Sequence, residues 1–106
     1  MSDDTLEQLG ATLAARRTAD PEHSYTARLL QDGGERILKK IGEEATEVVI
    51  AGSGRDDAPL VHEVADLWYH TLVLLAARGL GPGDVLAELD RRSGVSGHDE
   101  KAARSG

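Results

Sequence analysis

The sequence predicts an all-α domain, a bundle of about five helices, and three observations carry that expectation. Apolar residues recur at three- and four-residue spacings in five separate stretches, and no run alternates as a half-buried strand does. The aromatic residues are one Trp and two Tyr, with no Phe. A core must therefore come from Leu, Val, Ile and Ala, a palette that favours helices over a β-sandwich. At 106 residues the chain suits one such domain, expected over 1–93, with a flexible tail over 94–106 where periodicity is lost.

The elements follow in order. Leu6, Leu9 and Leu13 define a first helix behind a Ser2/Asp3 cap, closed by Arg16 and Arg17 before Asp20-Pro21. Ser24 caps a short second helix, Tyr25 to about Gln31, which Asp32-Gly33-Gly34 breaks. A third helix runs from about Glu35 to Ala51. The polar stretch Gly52 to Pro59 connects it to a fourth, with Asp56/Asp57 and Pro59 placed as N-cap and first-turn proline. That fourth helix is expected over Leu60 to Arg78 with its stop at Gly79, and Gly81-Pro82-Gly83-Asp84 restarts a fifth through Val85, Leu86, Leu89 and Arg91/Arg92.

Composition excludes several functions. Nineteen acidic against 12 basic residues leave a net charge of −7, the wrong sign for a protein held on nucleic acid or anionic lipid by its overall field. Zero Cys excludes a disulfide framework, a Cys-ligated zinc and a thiol nucleophile, leaving metal chemistry to carboxylates and four His. Glu63, Asp66 and His70 interrupt the most apolar stretch, which argues against a membrane span. No apolar leader follows the acidic start, so a cytoplasmic location is expected.

Two helices carry paired acids. At about 100° per residue, the third groups Ile37, Leu38, Ile41, Ala45, Val48 and Val49 into one apolar arc, with Lys40, Glu44 and Glu47 along its edge and Glu43 turned towards solvent. The fourth is apolar on nearly every side except for a stripe of Glu63, Asp66 and His70, so it should be buried almost all round with two acids in an apolar neighbourhood. An unpaired buried carboxylate costs several kcal/mol, so the stripe needs a cation, a proton, a polar partner or water. Packing Glu44-x-x-Glu47 against Glu63-x-x-Asp66 makes a cluster of four hard oxygen ligands, the chemistry of Mg²⁺ with a phosphorylated substrate. Lys40, four residues before Glu44, is placed to neutralise a phosphate. Glu-x-x-Glu pairs are also common on solvated faces, and a lone His70 is more commonly a satisfied core residue than a ligand.

Ser24-Tyr25-Thr26-Ala27-Arg28-Leu29-Leu30, the stretch ERILKKIGEEATEVVI from Glu35 to Ile50, and EVADLWYH from Glu63 to His70 together closely resemble the phosphoribosyl-ATP pyrophosphohydrolases of histidine biosynthesis. The likeness covers roughly Leu6 to Arg92. Glu43-Glu44-x-x-Glu47, followed after fifteen residues by Glu63-x-x-Asp66, is similar to the signature of the all-α, MazG-like nucleoside triphosphate pyrophosphohydrolases. The paired motif is specific, whereas either half alone is weak.

The resemblance implies Mg²⁺-dependent hydrolysis of phosphoribosyl-ATP between its α and β phosphates, giving phosphoribosyl-AMP and pyrophosphate. It implies Glu44, Glu47, Glu63 and Asp66 as metal ligands, Glu43 as a neighbouring acid of the catalytic group, and Arg28 and Lys40 as substrate contacts. It leaves the roles of Ser24, Tyr25, Thr26 and His70 open. It also implies a homodimer, and the apolar pattern of the fourth helix agrees: some of Val61, Trp68, Leu72 or Leu75 would pack on a second copy, unless the fifth helix and the tail fold back to cover them. The fused cyclohydrolase found beside this activity in some organisms uses Cys-ligated zinc, so the chain is expected to be the single-function form. The rival readings are a housekeeping triphosphate pyrophosphohydrolase of the same superfamily, a di-iron carboxylate protein lacking its Glu-x-x-His pairs, and a non-enzymatic helical dimerisation module.

Overall fold

The computed structural model describes residues 4–32 and 34–93. Among them the elements are α1 (Thr5–Arg16), α2 (Tyr25–Gln31), α3 (Gly34–Ser53), α4 (Asp57–Ala77) and α5 (Pro82–Ser93), with no strand. The all-α expectation holds, and each helix falls within a few residues of its predicted range. The Ser2/Asp3 cap and the tail over 94–106 lie outside the described residues; the N-cap position of α1 is Asp4, without a side-chain cap bond.

Local chemistry explains the boundaries. Ser24 sits in an extended conformation, and its Oγ accepts from the Ala27 N–H at 3.1 Å, a cap that starts α2. α4 begins three residues earlier than expected, at Asp57, because Pro59 is tolerated within a first turn whose N–H groups have no helical partners. It stops in a Schellman arrangement: Gly79 takes φ +75°, its N–H bonds the Ala76 carbonyl at 3.0 Å, and the Leu80 N–H bonds Leu75 at 2.8 Å.

α4 is the hub, packed against α1, α2 and most extensively α3. The buried core gathers Leu13 of α1, Leu29 of α2, Ile37 of α3 and Leu72, Val73 and Ala76 of α4. All of the α4 contribution comes from its C-terminal half. The rest of α3 and α4 extends from this core as a hairpin, and its three-residue connection makes the two helices antiparallel neighbours. Pro82, at the start of α5, is buried beside Gly10 of α1, where a Cβ would come within 2.5 Å of the proline Cδ.

One packing expectation is corrected. Leu38, Ala45 and Val49, part of the predicted apolar arc of α3, are exposed; the covered line is Ile37, Ile41, Glu44 and Val48. One neighbouring helix covers a narrower stripe than the arc occupies. α4 is not covered all round within one chain, and Val61 remains 66% and Trp68 57% exposed, the uncovered apolar surface on which the dimer expectation rests. α5 does not close over it. Leu6, Trp68, Leu72, Leu75, Val85 and Leu89 instead line part of an apolar groove of about 460 Å³ between α1, α4 and α5.

Candidate active site

The α3–α4 hairpin places the acids. Gly52 lies beside Leu60, and Glu44 meets His70, so the antiparallel register sets Glu44 near the level of Tyr69 and Glu47 near that of Asp66, with Glu63 about one turn beyond. Along α4 the spacing of three puts Glu63 and Asp66 on one side, and His62, four before Asp66, shares that side. The candidate ligand atoms of His62, Glu63 and Asp66 all lie within 4.8 Å of one another. Of the predicted ligands, Glu63 and Asp66 are therefore brought together, and Glu44 interacts with Asp66 by charge across the helix pair. Glu47 is exposed, not inward, and Glu43 is exposed as expected.

Burial within the cluster differs from the sequence expectation. Asp66 keeps 42% of its side chain exposed, whereas Glu44 keeps 13%. The deeply placed acid is thus on α3, because Glu44 lies on the covered line of that helix while the stripe on α4 opens towards solvent at its N-terminal end. Desolvation raises the Glu44 pKa above its ordinary value, and the charge of Asp66 pushes in the same direction; His70 and Lys40 oppose them.

His70 is the inner partner. It is buried, with Nδ1 2.6 Å from Glu44 Oε1 and 3.2 Å from the Asp66 carbonyl oxygen, and Nε2 3.4 Å from the Tyr25 hydroxyl. The approach to Glu44 is close but off line for a ring N–H, so Oε1 is buried without an aligned hydrogen-bond donor. The carbonyl takes the better-directed contact. Tyr25 and Tyr69 both meet the imidazole edge-on, and the Tyr69 hydroxyl bonds Thr26 Oγ1. The Tyr25-Thr26 pair thereby ties α2 to the inner end of the stripe.

Lys40 is half-buried and acts on Glu44 by charge. Arg28 is exposed on α2 and lines a cleft of about 260 Å³ with Pro21, Gln31, Asp32 and Arg36, a lining that includes none of Glu43, Glu44, Glu47, Glu63 and Asp66. His62 is not among the residues that the sequence singles out. The His62-x-x-x-Asp66 spacing was the signal that could have found it.

An oxygen-rich cluster with a nearly buried carboxylate across from it, and a lysine beside that carboxylate, is suited to a hard divalent cation bound with phosphate. The family profile of phosphoribosyl-ATP pyrophosphohydrolase matches residues 6–93. The chain belongs to this phosphoribosyl-ATP pyrophosphohydrolase family, and so is a hydrolase. Among its relatives, the phosphoribosyl-ATP pyrophosphatase of Nitrosospira multiformis is 57% identical over 105 residues, spanning 98% of this chain and 87% of its own length. That of Erythrobacter litoralis is 59% identical over 100 residues, spanning 94% and 96%. That of Acidovorax sp. strain JS42 is 52% identical over 111 residues, spanning 98% and 84%. The match takes in all five helices and every acid of the phosphoribosyl-ATP pyrophosphohydrolase motif quoted above.

Proposed function

We propose that the chain hydrolyses phosphoribosyl-ATP between the α and β phosphates, yielding phosphoribosyl-AMP and pyrophosphate in histidine biosynthesis, with Mg²⁺ held by Glu44, Glu47, Glu63 and Asp66. The observation that carries the metal assignment is the placement of Glu44: a nearly buried carboxylate whose pKa is raised by desolvation and by the charge of Asp66 on the facing helix is stabilised by a cation. When bound, Mg²⁺ supplies neutralising charge to the phosphate oxygens and lets a polyanion approach a cluster of acids. Lys40 adds a positive charge at the edge of the cluster, and Arg28 reaches substrate from α2. Glu43, the exposed neighbour of Glu44 within α3, is assigned the orienting or deprotonation of the attacking water in this reading. His70 and Tyr25 hold Glu44 in position from behind.

The acting unit in this reading is a homodimer in the cytoplasm. Val49, Ile50, Val61 and Trp68 are exposed apolar residues on a hairpin that extends beyond the core, and a second copy laid against them covers both helices. No helix among the described residues is long and apolar enough to cross a membrane.

Pyrophosphate release from phosphoribosyl-ATP, run beside dUTP, dCTP and ATP, tests the substrate. The expected result is turnover of phosphoribosyl-ATP with equimolar phosphoribosyl-AMP and pyrophosphate and little from the other triphosphates. Preference for an ordinary triphosphate would assign the chain to a housekeeping role in the same superfamily.

A further inference from the structure

The acid pair of α4 is accompanied by a nitrogen donor that none of the assignments above uses. His62 Nε2 lies 3.4 Å from Asp66 Oδ2, and the donor atoms of His62, Glu63 and Asp66 fall within 4.8 Å of one another. Ligands about 2.1 Å from a shared ion are themselves separated by roughly 3 to 4.2 Å. Small side-chain rotations therefore close this set around one ion. His62 is 71% exposed and free to make that adjustment. Glu44 interacts with Asp66 by charge from the facing helix, with its Oε1 2.6 Å from His70 Nδ1.

Chemistry decides which ion benefits. Mg²⁺ takes oxygen and dehydrates reluctantly, so an imidazole adds little to its binding. Mn²⁺, Co²⁺ and Zn²⁺ accept imidazole readily, with affinities set by the Irving–Williams order. We propose that His62 is a direct nitrogen ligand that widens this carboxylate site to Mn²⁺ and the other imidazole-accepting divalent cations, while Mg²⁺ is held by the carboxylates alone. The proposal rests on the assignment of Glu63 and Asp66 as metal ligands. The competing account of His62 is a solvated helix-surface ion pair with Asp66, which is worth little and leaves metal choice unaffected.

The test uses the full chain, titrated calorimetrically with Mn²⁺ and with Mg²⁺, and pulsed electron paramagnetic resonance of the Mn²⁺-loaded protein. Wild type is compared with His62→Ala, His62→Asn and Glu63→Gln, each checked for unchanged helicity. The expected result is a ¹⁴N coupling on Mn²⁺ in wild type that disappears in both His62 variants. Mn²⁺ affinity should fall about tenfold while Mg²⁺ affinity changes less than twofold. A ¹⁴N coupling that survives in His62→Ala, no coupling in wild type, or equal Mn²⁺ affinity with and without His62 would overturn the proposal. Glu63→Gln separates the two assignments: impaired binding of both ions there, with His62→Ala unchanged, sinks the His62 role alone, whereas unimpaired binding there removes the carboxylate site and the proposal with it.

Discussion

Glu44 concentrates the energetics of the site in one side chain. Its pKa is raised in the folded protein, mainly by desolvation, so the folded state prefers the neutral acid. The linkage sign follows: this contribution to stability is fully present below the unfolded value of 4.5 and is lost as pH rises through the higher folded-state pKa. In EDTA, Glu44→Gln should therefore match or exceed wild type in Tm at pH 7, and the gap in its favour should widen between pH 4.5 and neutrality. Thermal scans of the two proteins across that range check it. A variant that melts well below wild type at pH 7 would mean that the contact with His70 outweighs desolvation. Sequence periodicity put Glu44 on the edge of an arc and could not say how deep, because depth depends on which line of α3 faces α4. His70, by contrast, was legible as part of the α4 stripe, but its partners on α2 and α3 are 26 or more residues away in sequence and leave no local signal.

At the scale of elements, the helix ends were readable because they rest on local chemistry: Ser24 as a cap, Gly79 as the left-handed stop, Asp84 beyond Pro82 as the start of α5. Contacts between helices were not. Gly10 looks like an ordinary break in helical propensity, yet its missing side chain is what lets α1 touch the ring of Pro82. A Cβ there would lie 2.5 Å from Cδ and 2.8 Å from Cγ, and a pyrrolidine ring cannot swing aside. Despite the better helix propensity of Ala, Gly10→Ala should lower stability by about 1–3 kcal/mol through overpacking, with α1 still helical. Urea unfolding at constant m-value would measure it. An unchanged or raised midpoint would show that α5 shifts on α1 at little cost. The same limit explains the error over Leu38 and Val49: a period gives the direction of an apolar face but not how much of it a single neighbour covers.

For the whole molecule, the unresolved balance is between apolar surface made and apolar surface covered. The sequence marked α4 as apolar nearly all round, and one chain buries His70, Leu72, Val73 and Ala76 while leaving Val61 and Trp68 open and a 460 Å³ groove beside α5. A second copy is the expected cover. Sedimentation at low micromolar concentration should give a species at or above twice 11.3 kDa, and Trp68→Asp should dissociate it with loss of activity. A folded, active particle of 11.3 kDa would contradict this assembly.

The central claim is that the carboxylates of the α3–α4 hairpin hold the metal on which turnover depends, and Asp66→Asn tests it most directly. This half-exposed side chain can lose its charge without opening a cavity, so the variant should keep wild-type helicity and Tm in EDTA. Phosphoribosyl-ATP hydrolysis is measured for both proteins across a Mg²⁺ titration starting from EDTA. Wild type should rise from no turnover to saturation, and Asp66→Asn should stay at least a hundredfold lower at every concentration, a loss of roughly 2.7 kcal/mol or more in transition-state stabilisation. Turnover by wild type in EDTA, or near-wild-type turnover by a folded Asp66→Asn, would contradict the claim.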